Sequence, residues 1–276
     1  MFHWFDGQAH QGKHLAMAVD DPALLYGATV FTTLRVYGDS LDHPLTAWPA
    51  HRDRLRQALA AFHWPPPNWD HVRQGAEHLR AQFPVIRITC FPDGRELVTG
   101  RPLPPGLGRL QREGIAAWVA DAADYQRPLP GYKTGNYLPG WLALQAAQRQ
   151  GAGEAVLTDS QGQWLETSTG NLWGWADGRW YTPSLTNGLL PGVARLHLIR
   201  HLRQQDIAVV EADWNLALVR RLEGLAYSNS VVQAVPIHTV LGKQSRLEFN
   251  PQHRGLNGLT SAFDLTAAAA LERGDD

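Results

Sequence analysis

The chain contains very little cysteine, since Cys90 is the only one among 276 residues. A single thiol excludes a framework of internal disulfides and favours a reducing compartment, so we expect a cytoplasmic protein. No apolar run approaches the roughly 20 residues that a membrane-spanning helix needs. Residues 1–10 do not have the basic and then apolar pattern of a secretory signal. We therefore expect no membrane partner.

An excess of charge of either sign is also missing. The 25 Lys and Arg residues nearly balance the 26 Asp and Glu residues, which gives a formal net charge of -1. A nucleic-acid groove that depends on bulk positive charge is therefore excluded. The sequence is 44% hydrophobic and 18% charged, which is typical of a globular protein with a large core in one or two domains.

Several familiar catalytic patterns are absent from the sequence. The 12 histidines form no His-Glu-x-x-His motif, so we predict no metal site. Neither a Gly-x-Ser-x-Gly elbow nor a phosphate loop ending in Gly-Lys-Ser/Thr occurs. These absences argue against a zinc hydrolase, a serine hydrolase and a nucleotide-binding P-loop enzyme.

The hydrophobic pattern predicts alternating strands and helices in the first part of the chain. Strands are predicted at residues 1–5, 13–19, 26–36 and 84–91, and helices at residues 46–62 and 70–82. The segment 102–108 is rich in Pro and Gly and predicts no regular structure. We expect a domain boundary near Arg112, with domains at residues 1–112 and 113–276.

The second part of the chain again mixes both kinds of element. Strands are predicted at residues 115–120, 154–158, 207–210 and 225–237, and helices at residues 138–150 and 216–222. A further helix is predicted to follow the loop at residues 189–195 and to run to about Gln204. Hairpin turns are expected at residues 159–162 and 177–178. Ser228-Asn229-Ser230 interrupts the strand at 225–237 and is either a bulge or a rim that faces a phosphate.

Lys133 lies in Gly131-Tyr132-Lys133-Thr134-Gly135, between a proline-rich run and an alanine-rich helix. A tight turn at a helix start disfavours a cation, because the helix dipole is positive there. Burial lowers a lysine pKa further, and a neutral amine is a nucleophile toward carbonyls and the usual anchor of pyridoxal phosphate. The alternative is an ordinary solvated lysine on a loop.

Two later positions offer complementary chemistry. Glu166 lies in a neutral, hydroxylated stretch, where a buried carboxylate needs a partner such as a pyridinium N–H. A surface glutamate on a strand is the alternative. The loop 189–195 leads into a helix, and the free N–H groups and dipole of a helix start suit a phosphate. Plain capping chemistry is the alternative explanation of Pro191-Gly192.

Together these segments resemble the fold-type IV pyridoxal-phosphate family, which includes branched-chain and D-amino-acid aminotransferases and aminodeoxychorismate lyase. The resemblance covers nearly the whole chain, with the motifs in the family's order. It implies an α+β fold of two domains, a smaller N-terminal α+β domain and a larger C-terminal sheet or barrel domain with flanking helices. It also implies pyridoxal 5'-phosphate as cofactor, a small-molecule substrate and a homodimer.

The resemblance assigns a role to particular residues. Lys133 matches the Schiff-base lysine, Glu166 the carboxylate that faces the pyridine nitrogen, and Arg54 the arginine that binds the phosphate. The implied cofactor-binding residues are Lys133, Glu166, Arg54, Gly192, Val193, Ala194, Asn229, Ser230 and Asn171. Ala194 lacks the hydroxyl that many relatives offer to the phosphate, so its contact would come from the backbone.

Residues 31–36 (Phe-Thr-Thr-Leu-Arg-Val) look like aminodeoxychorismate lyase, whereas branched-chain aminotransferases tend to have a glutamate in place of Thr32. Asn229-Ser230 in place of Gly-Thr favours the same family member, while Ala28-Thr29 departs from a common Asp-Gly.

The resemblance therefore implies a lyase that releases pyruvate and 4-aminobenzoate, with Lys133 and Thr32 as catalytic residues. Arg87, Arg95 and Asn229 are the predicted substrate contacts. The alternatives are a class IV aminotransferase for branched-chain or D-amino acids, and a catalytically silent binding protein.

Overall fold

The computed structural model describes residues 2–121, 123–243 and 245–264. The described residues fall into two compact units. The first comprises the described residues within Met1–Leu103 and Tyr132–Asn136, and the second those within Pro104–Gly131 and Tyr137–Asp276. Among the described residues, no helix is both long and apolar enough to cross a membrane.

The first unit is an antiparallel sheet of five strands in the order β2-β1-β5-β4-β3. The strands are β1 (Phe2–Phe5), β2 (Gln8–Gln11), β3 (Val30–Arg35), β4 (Val85–Cys90) and β5 (Glu96–Arg101). The helices of this unit are α1 (Pro22–Tyr26), α2 (Trp48–Ala61) and α3 (Trp69–Arg80).

Alternation along β3 separates a core face from a polar face. Val30 and Leu34 pack with Leu55 of α2 and Leu79 of α3 in one buried cluster. The intervening residues of a strand point to the opposite face, so Phe31, Thr33 and Arg35 share the other side of the sheet. That second face carries the side chains described below.

Two predictions for the first unit are wrong in detail. No strand occupies residues 13–19, because the chain already reverses at Asp6-Gly7, both with positive φ, and pairs β2 with β1. The strand predicted at 26–36 begins only at Val30, since the residues before it form α1, which ends at the left-handed Gly27.

Among the described residues, the second unit contains nine strands and five α-helices. Its helices are α4 (Leu107–Glu113), α5 (Leu138–Arg149), α6 (Val193–Gln204), α7 (Leu216–Val219) and α8 (Asn257–Ser261). Its strands are β6 (Ile115–Ala120), β7 (Glu154–Thr158), β8 (Trp164–Thr167), β9 (Asn171–Ala176), β10 (Arg179–Pro183), β11 (Val209–Ala212), β12 (Gly224–Asn229), β13 (Gln233–Leu241) and β14 (Arg246–Glu248).

The helix α7 is a single turn of four residues, and the other four are longer.

Six of these strands form a closed ring in the order β9-β12-β13-β6-β7-β8, and β8 pairs back with β9. The closing pair joins Glu166 to Asn171. The strands β10 and β11 extend the sheet beyond β9, and β14 pairs with β13. The second unit is therefore a small barrel with an attached sheet.

Helices pack against this sheet through small and apolar side chains. Ala143 and Ala147 of α5 share a buried cluster with Ala155 of β7. A second buried cluster joins Leu198 of α6 to Trp173 of β9. Alanine allows close approach of helix and strand, which accounts for the alanine-rich sequence of α5.

Two predictions for the second unit also need correction. The segment 225–237 is not one interrupted strand but the hairpin of β12 and β13, in which Asn229 pairs with Gln233. The Asn229 side chain forms the turn, because its Oδ1 accepts hydrogen bonds from the N–H groups of Val231 and Val232 at 2.9 and 3.0 Å. The Pro- and Gly-rich segment after Leu103 leads into α4, which packs on β13.

The units divide at Leu103 rather than near Arg112, because α4 and the residues before it cluster with the second unit. The segment Tyr132–Asn136, which the sequence places in the C-terminal domain, clusters with the first unit.

Candidate active site

Lys133 lies in an extended segment beside β3 and not on a tight turn at a helix start. The N–H of Phe31 donates to the Lys133 carbonyl at 2.8 Å, and Val30 forms an antiparallel bridge with Thr134. Gly135 permits this approach, since a Cβ there would lie 2.2 Å from Thr29 Oγ1. The backbone on both sides of Lys133 is thereby fixed to the sheet of the first unit.

Two cationic groups meet the ring of Phe31. Lys133 Nζ lies 4.8 Å from the ring centroid, and Arg87 Cζ lies 3.6 Å from it. Arg87 is an exposed residue of β4, and its Nε also donates to Thr89 Oγ1 at 3.4 Å. The aromatic ring favours cations over its face, so Phe31 holds both groups on the same side of the sheet.

Thr32 points to the other face, where it contacts α2. Its side chain is fully buried, and its hydroxyl oxygen lies 2.6 Å from His51 Nδ1 and accepts a hydrogen bond from Arg54 Nη2. Burial lowers the pKa of His51 well below its ordinary value, and the positive charges of Arg54 and Lys133 lower it further. His51 is therefore neutral. The Thr32 hydroxyl holds the guanidinium of Arg54 by accepting a hydrogen bond from it.

The ion pairs of Arg95 are with residues other than those around Phe31 and Thr32. Its Nη2 pairs with Asp21 at 2.6 Å and its Nε with Asp93 at 2.5 Å. The Arg95 guanidinium also holds the pKa of Asp21 below its usual value. Both carboxylates belong to the same unit, and Asp21 is the N-cap of α1, so Arg95 links the β4–β5 turn to the start of that helix.

Glu166 is buried in the second unit, where it forms an ion pair. Arg127 Nη1 lies 2.5 Å from Glu166 Oε1, and the side chains of Arg127 and Glu166 are 7% and 6% exposed. The N–H of Leu190 donates to the other carboxylate oxygen at 3.3 Å. These hydrogen bonds to both carboxylate oxygens offset the cost of burying the group.

The helix α6 begins shortly after Leu190, whose N–H donates to Glu166, and its N-terminal N–H groups have no side-chain cap. Its N-cap is Gly192, and no side chain caps it. A Cβ on Gly192 would lie 2.1 Å from Asn171 Oδ1, so only glycine fits. Asn171 Nδ2 donates to the Leu190 carbonyl at 2.9 Å, which fixes the loop before the helix. The N–H groups of Val193 and Ala194 belong to the first turn of the helix, where the dipole favours an anion.

Asn229 and Ser230 lie on the turn between β12 and β13, and both are partly buried. Besides closing that turn, Asn229 donates through Nδ2 to the Thr169 carbonyl at 3.3 Å. The predicted rim is thus linked to the β8–β9 turn that follows Glu166. Sequence reasoning did not foresee this link, because it joins residues 60 positions apart.

Each unit, taken by itself, supplies groups that suit part of pyridoxal phosphate. The first unit supplies an amine, Lys133, and a guanidinium held by a buried hydroxyl, Arg54. The second supplies a buried carboxylate for a ring N–H and a helix start that has no side-chain cap for a phosphate. Each of these groups is of the chemical type that one part of the cofactor requires.

Sequence reasoning missed three residues of these networks. The sequence alone assigns no function to His51 or to Arg127. Tyr137 donates through its hydroxyl to the Ser168 carbonyl at 2.6 Å. Its place shortly after Lys133 is the one signal in the sequence that could have identified it.

Among the described residues, no group of three or more His, Cys, Asp or Glu side chains could hold a metal ion. Cys90 is fully buried, and burial raises the pKa of its thiol to about 12. The thiol is thus a packing group of β4.

A small α+β unit that carries the lysine, followed by a barrel that carries the buried carboxylate and the open helix start, defines the two-domain pyridoxal-phosphate enzymes of fold type IV. Residues 29–240 match the family described as Amino-transferase class IV. The chain belongs to the class IV aminotransferase family.

Relatives of known name include both activities expected from the sequence. The chain is 27% identical to a branched-chain-amino-acid aminotransferase of Salmonella typhimurium, over 87% of this chain and 85% of the relative. It is 23% identical to an aminodeoxychorismate lyase of Vibrio harveyi, over 83% and 89% of the two chains. These relatives agree on the enzyme class and differ in the reaction.

The structure of a hypothetical aminotransferase from Mycobacterium tuberculosis superposes with a TM-score of 0.80 at 21% identity. The similarity covers 95% of this chain and 98% of that one. The predicted fold class is therefore confirmed. The predicted cofactor, pyridoxal 5'-phosphate, is confirmed by the family to which the chain belongs.

Proposed function

We propose that this enzyme is an aminodeoxychorismate lyase, which converts 4-amino-4-deoxychorismate into 4-aminobenzoate and pyruvate. The substrate carries two carboxylates and an enolpyruvyl ether, so its binding requires cations and polar groups more than a large apolar pocket. A branched-chain amino acid, by contrast, requires an apolar pocket for its side chain.

The observation that carries the proposal is the composition of the sheet face around Phe31. The register pairs Thr33 with Arg87, so these residues and Arg35 share one face with Phe31. Arg87 is exposed and Arg35 partly buried, and Lys133 Nζ approaches the same ring. A hydroxylated face with several cations suits a dicarboxylate better than an aliphatic side chain.

The chain's own residues have distinct tasks in this reaction. Lys133 would hold the cofactor, Glu166 would accept a hydrogen bond from its ring nitrogen, and Arg54 with the start of α6 would bind its phosphate. When bound, pyridoxal phosphate withdraws electrons from the carbon that bears the substrate amine. Lys133 Nζ removes the proton from that carbon as a general base.

Loss of that proton allows the bond between the ring carbon and the ether oxygen to break. The ring becomes aromatic, and the enolpyruvyl fragment leaves with the bonding electrons. The Lys133 ammonium then protonates this fragment to give pyruvate. Arg87 would bind a substrate carboxylate, and Asn229, whose side chain closes the β12–β13 turn, would support the cofactor rim.

A direct assay tests the proposal. The purified protein is supplied with chorismate, ammonia and an amination enzyme, and 4-aminobenzoate and pyruvate are measured. We expect both products from the natural sequence and neither from Lys133→Ala. Borohydride reduction should attach the cofactor covalently to Lys133. A protein that binds the cofactor but yields no 4-aminobenzoate would refute the lyase reaction.

Amino-group transfer from branched-chain or D-amino acids is the second candidate, supported by the Salmonella typhimurium relative. In that reaction Lys133 would act as general base and then as general acid, and no ether would be cleaved. Transfer from leucine or D-alanine to 2-oxoglutarate, without pyruvate release from aminodeoxychorismate, would favour this candidate. A protein that traps no cofactor would instead favour a silent binding protein.

We also propose a homodimer. The surface of the first unit includes Val19, Leu24, Leu25 and Tyr26, and these side chains are 53% to 85% exposed. Burial of such an apolar patch against a second copy would be favourable. Light scattering coupled to gel filtration should give twice the mass of the chain, and a single-chain mass would contradict the prediction.

A further inference from the structure

Glu154 is a buried carboxyl group to which the proposed reaction assigns no task. It is the first residue of β7 and is 3% exposed. Ser168 Oγ donates to its Oε2 at 2.5 Å, and Thr169 Oγ1 donates to its Oε1. A single side chain thereby holds two consecutive residues of the β8–β9 turn.

Burial makes this arrangement costly for a charged group. It raises the pKa of Glu154, while hydrogen bonds from Ser168, Thr169 and Thr167 act in the opposite direction. These donors are hydroxyls and a backbone N–H, so they compensate the carboxyl without the charge of a cation. An apolar residue would fill the position without a desolvation cost. We therefore attribute the carboxyl group at this position to its hydrogen bonds with Ser168 and Thr169.

The turn that Glu154 holds connects the residues of the cofactor site in the second unit. Glu166 and Asn171 lie on either side of it and form the pair that closes the barrel. The Ser168 carbonyl accepts the hydroxyl of Tyr137 at 2.6 Å, and the Thr169 carbonyl accepts Asn229 Nδ2 at 3.3 Å. Displacement of the turn would therefore move several groups at once.

We propose that Glu154 is a positioning residue for the pyridoxal-phosphate site, which acts by fixing the β8–β9 turn through Ser168 and Thr169. It does not touch the cofactor, and its effect passes through the residues attached to that turn. The inference depends on the cofactor and not on whether the reaction is elimination or amino-group transfer.

Three variants separate this role from a general effect on stability. Glu154→Leu keeps the volume and removes both hydrogen-bond acceptors, whereas Glu154→Gln keeps an acceptor and lets the hydroxyls reorient. Val156→Ala is the matched control, because Val156 is a fully buried residue of the same strand and its apolar side chain cannot hydrogen-bond to the turn. Each apoprotein is titrated with pyridoxal phosphate, and quenching of tryptophan fluorescence gives the Kd.

We expect Glu154→Leu to raise the Kd by about tenfold or more, as the loss of one or two net hydrogen bonds would. It should also change the absorbance band of the bound cofactor, and Glu154→Gln should restore most of both properties. Val156→Ala should lower the Tm while it changes the Kd less than about twofold.

A second variant keeps the test informative if Glu154→Leu does not fold. Thr169→Val removes one donor to Glu154 at a partly buried position, and it should raise the Kd in the same direction by a smaller factor. A normal Kd and absorbance band in Glu154→Leu, or in Thr169→Val where Glu154→Leu does not fold, would overturn the proposal. So would a Kd that rises in Val156→Ala in proportion to the loss in Tm.

Discussion

The ion pair of Arg127 and Glu166 provides the sharpest test of the barrel unit, because removal of one partner leaves the other charge buried. Both side chains are almost inaccessible to water, and their charged atoms lie 2.5 Å apart. Breaking a buried pair of this kind costs about 3 to 5 kcal/mol, whereas removing both charges costs far less. We therefore expect Arg127→Met and Glu166→Gln each to destabilise the apoprotein by about 3 kcal/mol or more.

The double variant Arg127→Met, Glu166→Gln should lose clearly less than the sum of the two single variants. The expected interaction energy is about 1 to 3 kcal/mol, as for other residues in one buried network. Guanidinium unfolding followed by tryptophan fluorescence measures these free energies, because Trp173, Trp180 and Trp214 are fully buried in the same unit.

A surface pair of the same unit provides the control. Arg246 and Glu248 lie 2.9 Å apart, but their side chains are 64% and 68% exposed. Arg246→Met should therefore change the free energy of unfolding by less than about 1 kcal/mol. If Arg127→Met costs no more than Arg246→Met, or if the two buried substitutions are additive, the reasoning on the buried pair fails.

Three further predictions concern separate groups. Gly192→Ala should raise the Kd for pyridoxal phosphate about tenfold or more in a fluorescence titration, because its Cβ would meet Asn171 Oδ1, and Gly108→Ala, which meets only the flexible end of Arg112, should leave the Kd unchanged. Cys90 should react with Ellman's reagent only after denaturation, since its pKa is raised to about 12, and rapid reaction of the folded protein would contradict its burial. Burial lowers the pKa of His51, so below about pH 6.5 this side chain binds a proton in the unfolded chain but not in the folded one. The free energy of unfolding therefore falls as the pH drops below that value. His51→Asn should flatten the Tm between pH 7 and pH 5, and an equally steep profile in that variant would refute the assignment.

Most elements of the fold could be predicted from local patterns. The helices α2, α3, α5 and α6 follow apolar spacing and proline signals, and their bounds lie within a few residues of those expected. Pairing between strands is a different matter, because it depends on residues distant in sequence. The closure of the barrel by Glu166 and Asn171 and the hairpin at Asn229 could not be read from one segment.

The candidate site divides in the same way. Lys133, Glu166 and the helix start at Gly192 could be selected because each has a distinctive local context. The partners of these residues are set by tertiary contacts. Nothing near Thr32 in sequence indicates that its hydroxyl binds Arg54 of α2, and nothing near Arg127 indicates that it pairs with a carboxylate 39 positions later.

The barrel has one consequence for the life of the protein in a cell. The barrel is closed by the pairing of Glu166 in β8 with Asn171 in β9. Local unfolding of a barrel begins where few hydrogen bonds must break, and this pairing is such a place. A cofactor bound by residues of both strands would stabilise this closure. If the vitamin from which the cofactor is made is scarce, the apoprotein would then unfold more often. The protein would lose lifetime in the cell as well as activity.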